Sequence, residues 1–166
     1  MVWVHLLCRL AKAFGAEVTA VCSTRNADTA RSIGADHVID YTREDFTRSR
    51  QRYDLIFAAN AYHSIFDYRR ALSQDGICVF AGSGSLRIIL QVTLLGPLLS
   101  LIGSKQMRFF MTKVIKKDLI VLSDLLAARK VVPVIDRRYS LNEVSEALRY
   151  LEEGHAQGKV VITVKN

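Results

Sequence analysis

The run GAEVTAVCSTRNADTARSIGADHVIDY, from Gly15 to Tyr41, limits what this chain can fold into more than any other stretch. A glycine after an apolar, helically spaced segment ends a helix, because it alone turns left-handed without a steric penalty. Gly15 stands in that place. Glu17–Ser23 then reads as a short β-rich strand. A polar, basic turn, Thr24-Arg25-Asn26, leads into a helix over Asp28–Ile33, which Gly34 closes. His37–Asp40 is the next strand. Strands joined through a helix run parallel, and short apolar strands of this kind are covered on both faces.

The same alternation runs through the chain. Trp3, Leu6, Leu7, Leu10, Ala11 and Phe14 recur at helical spacing. Tyr41–Gln51 is a polar loop with one helical turn near Glu44–Phe46. Tyr53–Ala59 is a strand, Ser64–Leu72 a helix, Gln74-Asp75-Gly76 a turn and Ile77–Ala81 a strand, followed by the loop Gly82–Ser85. Leu86–Gly103 is apolar and reads as two helices broken at Gly96-Pro97, since proline interrupts a helix. Met107–Met111 is a strand and Asp118–Arg129 an amphipathic helix. Val132–Ile135 is a strand or extended edge. Leu141–Gly154 is a helix entered at Ser140, with Asn142 and Glu143 in its first turn. Lys159–Val164 is the last strand. The expected fold is α/β, a doubly wound parallel sheet of Rossmann-like type, in one domain.

Charge and cysteines narrow the function. The formal charge is +7, which favours anionic partners. The basic residues are scattered and not interleaved with aromatics, so a solvated surface is expected and no nucleic-acid groove. Cys8, Cys22 and Cys78 have neither CxxC nor Cys/His spacing. They read as free buried thiols in a reducing compartment, the cytoplasm, with no metal site. A membrane span needs about 20 uninterrupted apolar residues, which Leu86–Gly103 lacks, and no membrane role is expected.

Ligands of such sheets sit beyond the carboxyl ends of the strands. That geometry singles out Ser23–Asn26, Tyr41, Asn60–Tyr62 and Gly82–Ser85, each directly after a strand.

The segments AKAFGAEVTAVCSTRNADTARSIGADHVIDY, YDLIFAAN, RFFMTK and VVPVIDRRYSLNEVSEALRYLEEGHAQGKVVITV together resemble the cofactor domain of the medium-chain dehydrogenase/reductase superfamily. The likeness is to its zinc-independent, NADPH-dependent quinone oxidoreductase-like branch. It runs from Ala11 to Val164. The resemblance implies a Rossmann sheet beside a GroES-like catalytic domain, with a GxxGGVG loop just before the AKAFGA helix. That loop falls on Met1–Val4, which hold no glycine. The chain is therefore expected to be an NADP-binding domain over residues 1–166 that lacks the first strand, the glycine loop and the GroES-like domain. The strands flanking that first strand are then expected to pair with each other, stay open or recruit another chain.

The resemblance also assigns cofactor roles. Ser23, Arg25 and Tyr41 surround the ribose 2′-phosphate. Chemistry agrees for the first two: NAD-selective sheets carry Asp or Glu here, whereas arginine grips a phosphate through two charge-assisted bonds. The bland alternative is a polar turn with a tyrosine on the sheet edge. Asn60 corresponds, out of register, to an asparagine near the nicotinamide ribose. Phe110 matches a position near the nicotinamide and equally fits plain core. His155, Ala156, Gln157 and Lys159 match a GHAxGK turn that approaches the cofactor, with Gln157 where arginine is usual. No catalytic side chain is assigned.

NADP(H) is thus the expected cofactor. The expected function is hydride transfer between NADP(H) and a small carbonyl or quinone substrate in the full-length family enzyme, the fragment being inactive alone. The alternative is a non-catalytic nucleotide-binding or protein-interaction remnant. Homodimers through sheet edges are expected.

Overall fold

A computed structural model describes residues 2–81, 86–101, 103–110, 115–154, 156 and 158–164. The chain divides into two compact units, Met1–Ile39 with Ile115–Asn166, and Asp40–Val114.

The first unit begins with α1 (Val2–Ala13). Its C-terminus closes as the sequence requires. Gly15 has φ +78°, its N–H donates to the Lys12 carbonyl at 2.9 Å, and the Ala16 N–H reaches back to Ala11 at 3.0 Å. Those two bonds satisfy carbonyls that a helix end leaves open. β1 (Thr19–Cys22) pairs with β2 (His37–Asp40), and α2 (Ala27–Ser32) lies between them in sequence. Ala20, Cys22 and Ala30 form a small core, with Ala35 and Val38 packed against it. Asp36 ties the pieces together. It accepts from Lys12 Nζ at 2.8 and 2.9 Å and from the Val18 N–H at 2.7 Å. The Lys12 bond, then the Val18 bond, hold its carboxyl below the usual range.

The same unit carries α5 (Lys116–Ala127), β6 (Ile135–Ser140), α6 (Val144–Glu152) and β7 (Lys159–Thr163). β6 and β7 are parallel. The strand expected at Val132–Ile135 lies later, at Ile135–Ser140, because Pro133 has no N–H to give a ladder. Ser140 and Glu143 form the reciprocal cap expected from the sequence. α5 departs from the amphipathic expectation: it has no buried residue. Its apolar residues Leu119, Ile120, Val121, Leu122, Leu125 and Leu126 spread around the helix instead of forming one stripe.

The second unit is a three-stranded parallel sheet in the order β3 (Tyr53–Ala58), β4 (Leu72–Phe80), β5 (Gln106–Phe109). α3 (Ile65–Ala71) precedes β4, and α4 (Leu86–Leu101) precedes β5. In register, Ile56, Cys78 and Met107 face one way, as do Ala58 and Phe80. Cys78, Phe80 and Met107 are buried there with Ile65, Tyr68 and Ala71 of α3 and Ile88 and Val92 of α4. The other face shows Leu55 at 62% exposure. β3 carries a ladder on one edge only among the described residues.

Two expectations fail in this unit. The turn Gln74-Asp75-Gly76 is part of β4, where it appears as a shift of register between the pairs Tyr53–Leu72 and Leu55–Ile77. The helix pair expected at Leu86–Gly103 is one helix with Pro97 inside it. Thr93 Oγ1 donates to the Ile89 carbonyl at 2.7 Å, and Ser100 Oγ to the Gly96 carbonyl at 2.8 Å. Neither bond reaches the Thr93 carbonyl, the acceptor that Pro97 leaves without its helical N–H; hydroxyl bonds of this kind bend a helix without ending it.

Gly76 explains why the excursion in β4 is tolerated. A Cβ there would stand 2.8 Å from the Tyr53 carbonyl oxygen and 3.1 Å from Leu72 side-chain atoms. Gly76→Ala is expected to destabilise the fold by about 1–3 kcal/mol, as overpacking does, measured by urea unfolding. A change under about 0.5 kcal/mol, the size of a neutral surface substitution, would contradict the close approach.

Candidate nucleotide site at the strand ends

Ser23 and Arg25 sit directly beyond the carboxyl end of β1. The turn is a short 3-10 segment, Thr24–Asn26, with Ser23 extended at its start. The buried Asn26 holds it in shape: its Nδ2 donates to Ser23 Oγ at 2.8 Å, and its N–H to the Ser23 carbonyl at 2.9 Å. Ser23 Oγ thus accepts from Asn26, and among the described residues its own O–H meets no acceptor. Arg25 is exposed, and no ion pair engages it among the described residues. The nearest acid along the chain, Asp28, is paired with Arg31 at 2.8 Å. Asn26 is the residue that sequence reasoning undervalued, because only its burial shows that it orients Ser23.

In the second unit, Tyr41 follows β2 and is half exposed. Asp40 Oδ1 accepts from the Thr42 N–H and Oγ1 at 2.9 and 2.7 Å, which fixes the turn. Asn60 is exposed in the turn after β3. Phe110 lies just past β5 at 50% exposure, against Phe57 at 6.3 Å, so it is not the core residue that its apolar strand suggested. Its N–H donates to the Phe80 carbonyl at 2.9 Å. Tyr41 is brought against Tyr62, and among the described residues no ring or hydrogen-bond contact joins it to Asn60 or Phe110.

In the C-terminal turn, His155 and Gln157 lie outside the described residues, as do Gly82–Ser85. Ala156 is half-buried and Lys159 exposed. The Lys159 N–H donates to the Val134 carbonyl at 2.7 Å. Gly158 shows why the turn reads GK: a Cβ would lie 2.6 Å from the Val134 carbonyl oxygen and 3.0 Å from the Asp136 nitrogen. The basic Arg137 is spent within the fold, its guanidinium 3.9 Å over the Tyr150 ring.

Other chemistry is not assembled. The three cysteines are free and buried, and burial pushes the Cys78 thiol up to about 12, which keeps it protonated. No cluster of His, Cys, Asp and Glu could hold a metal among the described residues. None of their helices is long and apolar enough to cross a membrane.

Residues 33–162 match the family described as zinc-binding dehydrogenase. The chain belongs to the medium-chain dehydrogenase/reductase superfamily, on its quinone oxidoreductase-like side. It is 31% identical over 159 residues to the chloroplastic quinone-oxidoreductase QR1 of Triphysaria versicolor, covering 93% of this chain and 47% of that one. It is likewise 31% identical to the chloroplastic NADPH-dependent alkenal/one oxidoreductase of Arabidopsis thaliana, covering 95% of this chain and 36% of the relative. The quinone oxidoreductase of Coxiella burnetii has the same fold, with a TM-score of 0.69, 24% identity, and coverage of 97% of this chain and 49% of that one. The chain spans about half the length of the relatives it matches, or less. The α/β reading with parallel strands holds within this superfamily, although the described strands fall into three sheets rather than one.

Proposed function

We propose that this chain is an NADP(H)-binding domain of an oxidoreductase that moves hydride between NADP(H) and a small carbonyl or quinone. The observation that carries it is the turn after β1. Ser23 is held there with its O–H free to donate, and Arg25 is exposed and unpaired among the described residues. A carboxylate at this position would accept bonds from a ribose 2′-OH. A guanidinium and a hydroxyl instead suit a 2′-phosphate. Tyr41 is proposed beside that phosphate, and Asn60, Phe110, Ala156 and Lys159 toward the rest of the cofactor. The cofactor would supply the hydride, and the chain's own residues would bind and orient it.

The fit is to the adenosine half. Residues 2–4, where the resemblance puts the glycine loop, are in the first turn of α1, so they form no glycine cradle for a pyrophosphate. Hydride transfer by the isolated chain is accordingly proposed to be close to nil, with the substrate pocket supplied by a GroES-like domain as in the family. Zinc plays no part in this reading, and the free buried cysteines favour a reducing compartment such as the cytoplasm.

Titration of the chain with NADPH and NADH, followed by nicotinamide fluorescence, tests the proposal. Selective NADPH binding in the sub-millimolar range is expected. Equal affinity for the two, or binding of neither, contradicts it. The second reading, a protein-interaction module, is favoured by β3, which has one unpaired edge among the described residues, and by Leu55, exposed on that sheet's face. It predicts self-association without nucleotide binding.

A further inference from the structure

α4 is apolar on two sides. Ile88 and Val92 are buried, where the helix packs on β5 and α3. Leu86, Leu90, Leu94, Leu98 and Leu101 are between 51% and 82% exposed. Residues spaced by three and four share one face of a helix, so the five leucines form a stripe. From Ile88 to Leu101 the sequence of α4 holds no charged residue. Thr93 is exposed as well, and its hydroxyl is turned back onto the Ile89 carbonyl at 2.7 Å. Leu86, Leu90, Leu94 and Leu95, with Gln91, line a hollow of about 470 Å³ on the same helix. A helix that is apolar all round is ordinarily a buried one, and a contiguous apolar patch on a surface marks a place that something covers.

We propose that a second copy of this chain covers the stripe, with α4 packed on α4 about a two-fold axis. Pattern, area and charge support this occupant. Leucines four residues apart make a ridge, and two such ridges interdigitate in the commonest class of helix crossing. The face is therefore its own complement, as a two-fold contact requires. Five leucines at these exposures present on the order of 500 Å². A pair of copies then buries on the order of 1,000 Å², the lower limit for a specific interface, so a weak, concentration-dependent dimer is expected. A lipid surface suits the helix less well. Helices that lie on membranes carry lysine and arginine on a polar face, whereas the second side of α4 is packed on its own sheet. The contact uses neither outer edge of the β3-β4-β5 sheet, and it does not depend on the cofactor reading.

Sedimentation equilibrium of the whole chain, without nucleotide, tests the proposal. A monomer–dimer equilibrium is expected. Leu90→Asp combined with Leu94→Asp should abolish the dimer and leave the urea midpoint as in wild type, because both side chains are exposed. Leu94→Cys gives a second reading should the aspartates unfold the chain. The middle of the stripe lies near a two-fold axis whichever way the helices run, so this variant should form a disulfide-linked dimer under mild oxidation. Wild type, whose cysteines are buried, should not, nor should Glu152→Cys, which is exposed on α6. Absence of the Leu94→Cys link overturns the proposal. So does a wild-type chain that stays monomeric at every concentration, whether or not it floats with phosphatidylcholine vesicles. An assembly that survives in the folded double aspartate variant is held elsewhere, as at the sheet edges, and overturns it too.

Discussion

Arg25→Ala is expected to weaken NADPH binding roughly 10- to 150-fold, the cost of losing hydrogen bonds to a charged group, and to leave NADH binding unchanged. The low end of that range is the better expectation, because Arg25 is exposed and water screens its contact with a phosphate. The selectivity of the effect matters more than its size. NADH has no 2′-phosphate, so a residue that acts through that phosphate cannot affect it. A general loss of positive charge would weaken both cofactors. The variant should fold normally, since no ion pair is broken among the described residues and surface changes away from such features stay within about 0.5 kcal/mol. Raising the salt concentration should imitate the mutation in part, by weakening NADPH binding and bringing the two affinities closer. Fluorescence titration of both cofactors against wild type and variant, at two ionic strengths, measures all of this. Equal weakening of NADH would place Arg25 away from the phosphate.

Phe80→Ala is expected to cost about 3–5 kcal/mol, as deleting a buried aromatic ring does. Phe80 is 1% exposed and central in the second unit. Its ring meets Tyr68 of α3 edge-on, 5.2 Å away at 89°, and it stands between Ala58 of β3 and Phe109 of β5 in register. Sheet and helix lose their common contact when it goes. Native domains hold only about 5–15 kcal/mol in all, so the variant should be barely folded at room temperature. The urea midpoint should fall sharply with a similar slope. A loss below about 1 kcal/mol, the centre of the distribution for single substitutions, would mean that the core is not built around this ring.

Much of this fold is written locally in the sequence. Gly15 and Gly34 announce their left-handed turns, with φ +78° and +100°. Ser64 and Ser140 start their helices through caps that depend on residues three positions on. β2 falls on His37–Asp40, where the alternation puts it. What was not legible depends on contacts distant in sequence. Gly158 reads as a loop glycine until Val134 is seen to press against it. Pro97 reads as a helix break, yet the helix continues to Leu101, with Gly96 in van der Waals contact with Met107 of β5. Gln74–Gly76 has turn composition, but the ladder to β3 resumes beyond it. For the site, Ser23 and Arg25 were legible from chemistry and position alone. The orienting role of Asn26 and the pairing of Tyr41 with Tyr62 were not, since burial and ring geometry are invisible in a linear chain.

The central claim is that the turn after β1 receives the 2′-phosphate end of NADP(H). Amide chemical shifts of the isotopically labelled chain, recorded as NADPH is added, test it residue by residue. The largest shifts are expected at Ser23, Thr24 and Arg25 and at Tyr41, with much smaller shifts at the first three when NADH replaces NADPH. Shifts at Ser23–Arg25 that are equal for the two cofactors, or no shifts there at saturating NADPH, would contradict the account.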